Sequence, residues 1–180
     1  MTVSPLKLWT VGHSTRTIEE FIDLLRHHRI ETLVDVRRFP GSRRFPHFGS
    51  SALHDALRAA GIHYHHLVEL GGRRPARPDS RNVAWHNASF RGYADYMETQ
   101  PFRDGIARLV EIARAGQTAL MCSEALWWRC HRSMIADFLK ATGVEVFHIL
   151  DPLKVQAHSY RVPARIVEGQ LAYAGSQEEP

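Results

Sequence analysis

Residues 6–38 read LKLWTVGHSTRTIEEFIDLLRHHRIETLVDVRR, and this stretch decides the fold class. Leu6–Val11 is a short apolar run that stops at Gly12-His13-Ser14, the pattern of a buried strand ending in a tight loop. Thr17 followed by Glu20 makes a capping box, and Ile18, Phe21, Ile22 and Leu25 recur at helical spacing. Glu31–Val36 is a second apolar run, which leads into Arg37-Arg38. A strand, a helix and a second strand in so few residues is a βαβ unit, and such units build parallel sheets.

The same alternation continues toward the C-terminus. Pro40, Gly41 and Pro46 keep the stretch after Arg38 irregular. Ser50 or Ser51 caps a helix with Leu53, Ala56, Leu57 and Ala60 on one face, closed by Gly61. Ile62–Leu67 predicts a third strand. From Glu69 to about Phe90 runs a long basic loop broken by Gly71, Gly72, Pro75 and Pro78; loops of that length in compact domains are usually functional or disordered. Tyr93, Tyr96 and Met97 suggest a helix, and Pro101 opens another with Phe102, Ile106, Leu109, Val110 and Ala113 inward. Thr118–Cys122 is the fourth strand, Cys130–Lys140 a helix and Val144–Leu150 the fifth strand. The expected architecture is a single α/β domain, 1–180, with a core at about 6–152 and a tail at 153–180. Its mostly parallel sheet of about five strands carries helices on both faces. The tail has weak periodicity, and Gly175–Pro180 is expected to fray.

Composition narrows the function classes. With 44% apolar and 23% charged residues, the 180-residue chain is an ordinary globular mixture. No apolar run approaches the roughly 20 residues that span a bilayer, and Met1-Thr2-Val3-Ser4-Pro5 lacks the features of a secretory signal. A cytoplasmic protein with no membrane partner is expected. Two cysteines, Cys122 and Cys130, do not make a disulfide framework. Between Arg37 and Arg91 lie ten arginines, no lysine and three acids, while the rest of the chain is net acidic. Guanidinium forks suit bidentate binding of phosphate or carboxylate.

In doubly wound sheets, ligands collect at the carboxyl ends of the strands. Loops carrying Gly12-His13-Ser14, Arg37-Arg38, Glu69-Leu70-Gly71-Gly72 and Ser123-Glu124 therefore converge on one edge. Glu124 is the first candidate for general acid, base or nucleophile: burial beside Trp127 and Trp128 raises a carboxyl pKa, and nearby arginine lowers it. The start of the helix at Cys130-His131-Arg132 offers free amides to an anion. Cys130 lies one turn before Met134 on an apolar stripe, so its sulfur reads as core, and Cys122 reads as packing at the end of its strand. A zinc site from Cys122, Cys130, His131 and His13 has no standard spacing. In the irregular stretch after Arg38, Arg43 and Arg44, and along the basic loop and its end, Arg73 and Arg91, offer phosphate contacts. Trp85-His86-Asn87 with Phe90 and Tyr93 combine stacking and hydrogen bonding, as base recognition requires; the alternative is a loop that packs its own aromatics. The phosphate-loop, dinucleotide-loop, C-x-x-C and H-E-x-x-H patterns are absent, and no cofactor or metal is expected.

Thr10-Val11-Gly12-His13-Ser14, Val34-Asp35-Val36-Arg37, Glu69-Leu70-Gly71-Gly72-Arg73, Phe90-Arg91-Gly92-Tyr93 and Met121-Cys122-Ser123-Glu124 with Cys130-His131-Arg132 together resemble the bacterial and archaeal family labelled domain of unknown function 488. The resemblance spans roughly Leu8 to Pro152. It implies a small α/β domain and no particular activity, and it points to His13, Asp35, Arg37, Glu124, Cys130, His131 and Arg132 as the site. Asp35 is then either a second carboxylate or the group that holds Arg37.

The leading expectation is an enzyme acting on a nucleic acid or nucleotide that hydrolyses an N-glycosidic bond, in the manner of a DNA-repair glycosylase. Glu124, Asp35 and His13 would do the chemistry. Ser14, Arg37, Arg43, Arg44, Arg73, Trp85, His86, Asn87, Arg91, Tyr93, Cys130, His131 and Arg132 would bind the substrate. A non-catalytic nucleic-acid or nucleotide binding module and a thiol- or zinc-dependent enzyme are the alternatives.

Overall fold

The computed structural model describes residues 4–175. Thirteen regular elements follow in chain order. They are β1 (Lys7–Gly12), α1 (Ile18–His27), β2 (Thr32–Asp35), α2 (Ser50–Ala59), β3 (His63–His66), α3 (Ala88–Met97) and α4 (Gln100–Ala115). After these come β4 (Thr118–Cys122), α5 (Arg132–Ala141), β5 (Glu145–Asp151), β6 (Lys154–Ala157), β7 (Arg165–Val167) and β8 (Gln170–Ala172). The main sheet has the order β3-β2-β4-β1-β5-β6, with β1 to β5 parallel. The α/β class and the mostly parallel sheet expected from the sequence are present. The sheet has six strands rather than five, because β6 turns back antiparallel onto β5 and forms an edge. The tail also forms a separate hairpin, β7-β8, turning through Glu168 and Gly169, both at positive φ, as a tight two-residue hairpin requires. The residues from 176 onward, where fraying was expected, lie outside the described residues.

The alternation of each strand sorts its side chains onto two cores. Leu8, Val34, Leu120 and Val146 face α3, α4 and α5. Val11, Leu33, Ala119, Met121 and Ile149 face α1 and α2. Every residue of β2 and β4 is buried, as expected for central strands covered on both faces. The Thr17 capping box is formed, with the Glu20 amide donating to the Thr17 hydroxyl at 3.1 Å and the Thr17 amide to the Glu20 carboxylate at 2.8 Å. Among the described residues, no helix is long and apolar enough to cross a membrane.

The topology selects one crevice. The chain leaves β1 by α1 on one face and passes over β4 to reach β2. It leaves β4 by α5 on the other face and passes over β1 to reach β5. The connections therefore diverge to opposite sides at the carboxyl ends of β1 and β4, the switch point where open α/β sheets bind ligands. Beyond the strands the two chains stay paired: the His13 amide donates to the Cys122 carbonyl and the Ser14 amide to the Ser123 carbonyl, both at 3.0 Å. Gly12 permits this approach, since a Cβ there would overlap the Glu124 carbonyl.

Candidate functional site

Asp35 and Arg37 organise one wall of the crevice. Asp35 is fully buried at the end of β2. One carboxylate oxygen accepts from the Arg37 amide at 3.0 Å and Arg37 Nε at 2.9 Å. The other accepts from Arg37 Nη2 and the Tyr64 hydroxyl, both at 2.7 Å. Asp35 is thus saturated by donors and serves as the clamp that aims Arg37. Arg37 Nη1 is left over and points toward His13 Nε2 at 3.4 Å.

His13 follows from its surroundings. Its Nδ1–H donates to the Ser14 carbonyl at 2.9 Å, and its ring stacks on Phe48 with centroids 4.1 Å apart. Burial, reinforced by the charge of Arg37, depresses its pKa to about 4. At neutral pH the imidazole is uncharged and its Nε2 is an acceptor.

On the opposite wall the two sulfurs meet. Cys122 Sγ and Cys130 Sγ are 2.8 Å apart, inside the van der Waals contact of two sulfurs. Cys130 is half-buried and in extended backbone, with φ −138° and ψ 164°, and α5 begins only at Arg132. The expected place for Cys130 on the apolar stripe of that helix is therefore replaced by a place before its first turn, where the Arg132 amide donates to the sulfur at 3.3 Å. Burial alone would push this thiol up. The hydrogen bond from Cys122, the charge of Arg132 and the Arg132 amide outweigh it and bring the pKa down to about 7. Cys122 moves the other way: burial, and then its hydrogen bond to Cys130, raise its pKa well above the ordinary thiol value. Both shifts favour placing the shared proton on Cys122 rather than on Cys130.

His131 lines the crevice, whereas Arg132, expected from sequence to contact the ligand, lines neither cavity and holds the turn beneath it. Arg132 is buried, and its Nη2 donates to the Glu124 carbonyl at 2.8 Å and the Ala125 carbonyl at 3.3 Å. His131 Nε2–H donates to the Val36 carbonyl at 2.9 Å, and burial lowers its pKa. Gly71 and Gly72 bring the long loop against these groups. A Cβ at Gly71 would lie 2.7 Å from the Arg38 backbone, and one at Gly72 2.8 Å from His131 Nδ1.

Two adjoining cavities open here. One, of about 160 Å³, is lined by Cys122, Cys130, His131, Ser123, Arg37 and Arg73, with Arg38, Phe39 and Gly72. The other, of about 330 Å³, shares Arg37, Phe39, Arg73 and Ser123 and adds His13, Ser14, Ser42, Phe45 and Glu124. Of the residues singled out from sequence, His13, Ser14, Arg37, Arg73, Glu124, Cys130 and His131 come together in these walls. Glu124 is exposed rather than buried beside Trp127, and its carbonyl, not its carboxylate, is the group held by Arg132.

The others lie elsewhere. Arg43 and Arg44 are exposed and line neither cavity. Trp85 stacks on Phe90 with centroids 4.8 Å apart and packs on Tyr173. Tyr93 is buried and donates to the Leu70 carbonyl at 2.8 Å. Asn87 caps α3, and Arg91 Nη2 lies 3.4 Å from the His86 carbonyl. The basic loop thus packs its own aromatics, and Gly92 fits closely under the Arg74 carbonyl. Sequence reasoning placed Arg38 and Ser123 in loops at this sheet edge without giving them a role, and passed over Phe39 and Ser42 as site residues.

Among the described residues, no group of three His, Cys, Asp or Glu is placed to hold a metal ion. Comparison with curated proteins and with solved structures finds no match. The family model described as "Domain of unknown function DUF488" matches residues 17–139, two thirds of the chain, and the chain belongs to that family.

Proposed function

We propose that the protein is a thiol-dependent enzyme whose nucleophile is the Cys130 thiolate and whose substrate carries an anionic group bound by Arg37 and Arg73. The observation that carries this reading is the 2.8 Å contact of Cys130 with Cys122 in the wall of a cavity that those arginines also line. A thiolate at neutral pH is the reactive form, and Cys130 has the donors and the charge that favour it. Arg37, clamped by Asp35, is preorganised to bind an anion without reorientation. His13, neutral and accepting, hydrogen-bonds a protonated oxygen or water rather than adding charge. A cytoplasmic location, where thiols are kept reduced, is part of this proposal.

A second reading retains a nucleotide or nucleic acid as substrate, with Glu124 activating water at an N-glycosidic bond. It is favoured by one observation: Glu124 lines the same 330 Å³ cavity as His13, Ser14, Arg37 and Arg73. The internal packing of Trp85 and Tyr93 removes the base-stacking surface this reading relied on.

One experiment separates the two. Iodoacetate and iodoacetamide present the same electrophilic carbon with and without a negative charge. Free thiolates in water react faster with the neutral reagent. The thiolate reading expects Cys130 to react faster with iodoacetate and to be protected by inorganic phosphate. The ordinary order at Cys130, together with release of a free base from a nucleoside or nucleotide that Glu124→Gln abolishes, would replace it by the second reading.

A further inference from the structure

A nucleophilic thiolate needs no second sulfur to attack carbon or phosphorus, yet this site holds one in contact. Cys122 ends β4, fully enclosed, with its sulfur 2.8 Å from Cys130 Sγ and 3.7 Å from the Glu124 carbonyl. Both cysteines are among the residues that line the 160 Å³ cavity, together with Arg37, Arg38 and Arg73. Nothing in packing requires this: a valine or alanine would fill the end of a buried strand as well. A second thiol touching a first has a specific chemical use, which is to attack the first once it has become part of a disulfide.

Resting on the reading of Cys130 as nucleophile, we infer that Cys122 and Cys130 are a dithiol couple that reduces disulfides bearing carboxylate or phosphate groups, Cys130 attacking and Cys122 resolving. In the first step the Cys130 thiolate attacks one sulfur of the substrate R–S–S–R. A bond forms between Cys130 Sγ and that sulfur, the substrate disulfide breaks, and one R–S⁻ departs. In the second step Cys122 gives up its proton to the departing thiolate and attacks Cys130 Sγ. The Cys122–Cys130 disulfide forms, the mixed disulfide breaks, and the second RSH leaves. The substrate gains two electrons and the protein loses two. A small dithiol from solution returns the couple to its reduced form.

The arrangement orders the steps. While Cys130 is a thiolate, it holds the Cys122 proton, and Cys122 stays unreactive. Capping Cys130 as a mixed disulfide removes that negative charge, and Cys122 is freed to ionise. The arginines make the site selective. Guanidinium charges lining the cavity attract an anionic disulfide and repel a cationic one, and the expected preference is about tenfold or more.

The test uses the reduced full-length protein with oxidised glutathione, an anionic disulfide, and cystamine, a cationic one. Released thiol is counted and the sites are read by mass spectrometry. Wild type is expected to release both thiols of oxidised glutathione and to end with a Cys122–Cys130 disulfide. Cys122→Ser and Cys122→Ala are expected to release one thiol and retain a mixed disulfide on Cys130, and Cys130→Ser to release none. Oxidised glutathione is expected to react at least about tenfold faster than cystamine, and Arg73→Ala to shrink that ratio. A thermal melt of each variant shows that it is folded. A wild type that stops at the mixed disulfide overturns the dithiol couple and leaves the thiolate site standing. Equal rates with the two disulfides overturn the substrate class. A Cys130 that reacts with neither disulfide nor iodoacetate overturns the thiolate reading itself.

Discussion

Replacing Asp35 by Asn changes one atom and one charge at the point on which the anion site depends. Asp35 is fully buried, and each of its oxygens accepts two hydrogen bonds, three of the four from Arg37. Asn keeps one acceptor oxygen but turns an NH2 toward guanidinium or hydroxyl donors. It also leaves Arg37, only 7% exposed, as an uncompensated buried charge. Breaking a buried pair this way costs about 3–5 kcal/mol, which for a chain of this size lowers Tm by about 10 °C. Urea unfolding and a thermal melt read the stability, and the iodoacetate-to-iodoacetamide ratio at Cys130 reads the site. Asp35→Asn is expected to lose both. Replacing both partners, as Asp35→Leu with Arg37→Met, removes both charges together. It is expected to return stability to within about 1–2 kcal/mol of wild type while the preference for iodoacetate stays lost. An Asp35→Asn protein destabilised by less than about 1 kcal/mol, with its reagent preference intact, would refute the clamp.

The protein is expected to lose stability in mild acid. Burial holds the His148 pKa at about 2 and the His13 pKa at about 4, both below the unfolded value near 6.5. Their contribution is therefore complete above pH 6.5 and falls by up to about 1.4 kcal/mol per pH unit for each as the pH drops toward 4; urea midpoints that are flat between pH 7 and 5 would contradict this. Tyr173→Phe breaks the end of a buried chain. In it Thr10 bonds His148 at 2.6 Å, His148 bonds His158 at 2.9 Å, and Asp137 takes His158 and Tyr173 each at 2.7 Å. It is expected to cost about 1–3 kcal/mol and to leave Cys130 alkylation unchanged. Trp85→Ala is expected to cost about 3 kcal/mol through lost packing on Phe90 and Tyr173, with no change in protection by phosphate; a weakened phosphate effect would bring the Trp85 end of the basic loop into the binding site alongside Arg73.

The parts of the fold that were legible are those whose local signals agree with their burial. The apolar runs of β2 and β4 read correctly because they face cores on both sides of the sheet, and the capping box at Thr17 because its signal is local to four residues. The strands β6 and β7 were not legible. Every residue of both is exposed, so no hydrophobic alternation marks them. Cys130 was misread for a geometric reason. Its spacing to Met134 implies a shared helical face only if the helix already runs through position 130, and it begins two residues later. Glu124 shows the converse: position after a strand located the segment, but the group that Arg132 holds there is the carbonyl, and the residue is exposed at the mouth of the cavity. For Trp85 and Tyr93, composition alone does not distinguish a ring offered to a ligand from one packed on its own core.

The central claim is that Cys130 is a thiolate near neutral pH. Site-resolved alkylation of the native protein by iodoacetamide, followed by mass spectrometry across a pH series, measures it directly. The account predicts that Cys130 reactivity titrates with a midpoint near pH 7 while Cys122 stays unmodified over the same range. A Cys130 midpoint above pH 8.5, the value of an ordinary free thiol, or faster modification of Cys122, would contradict it.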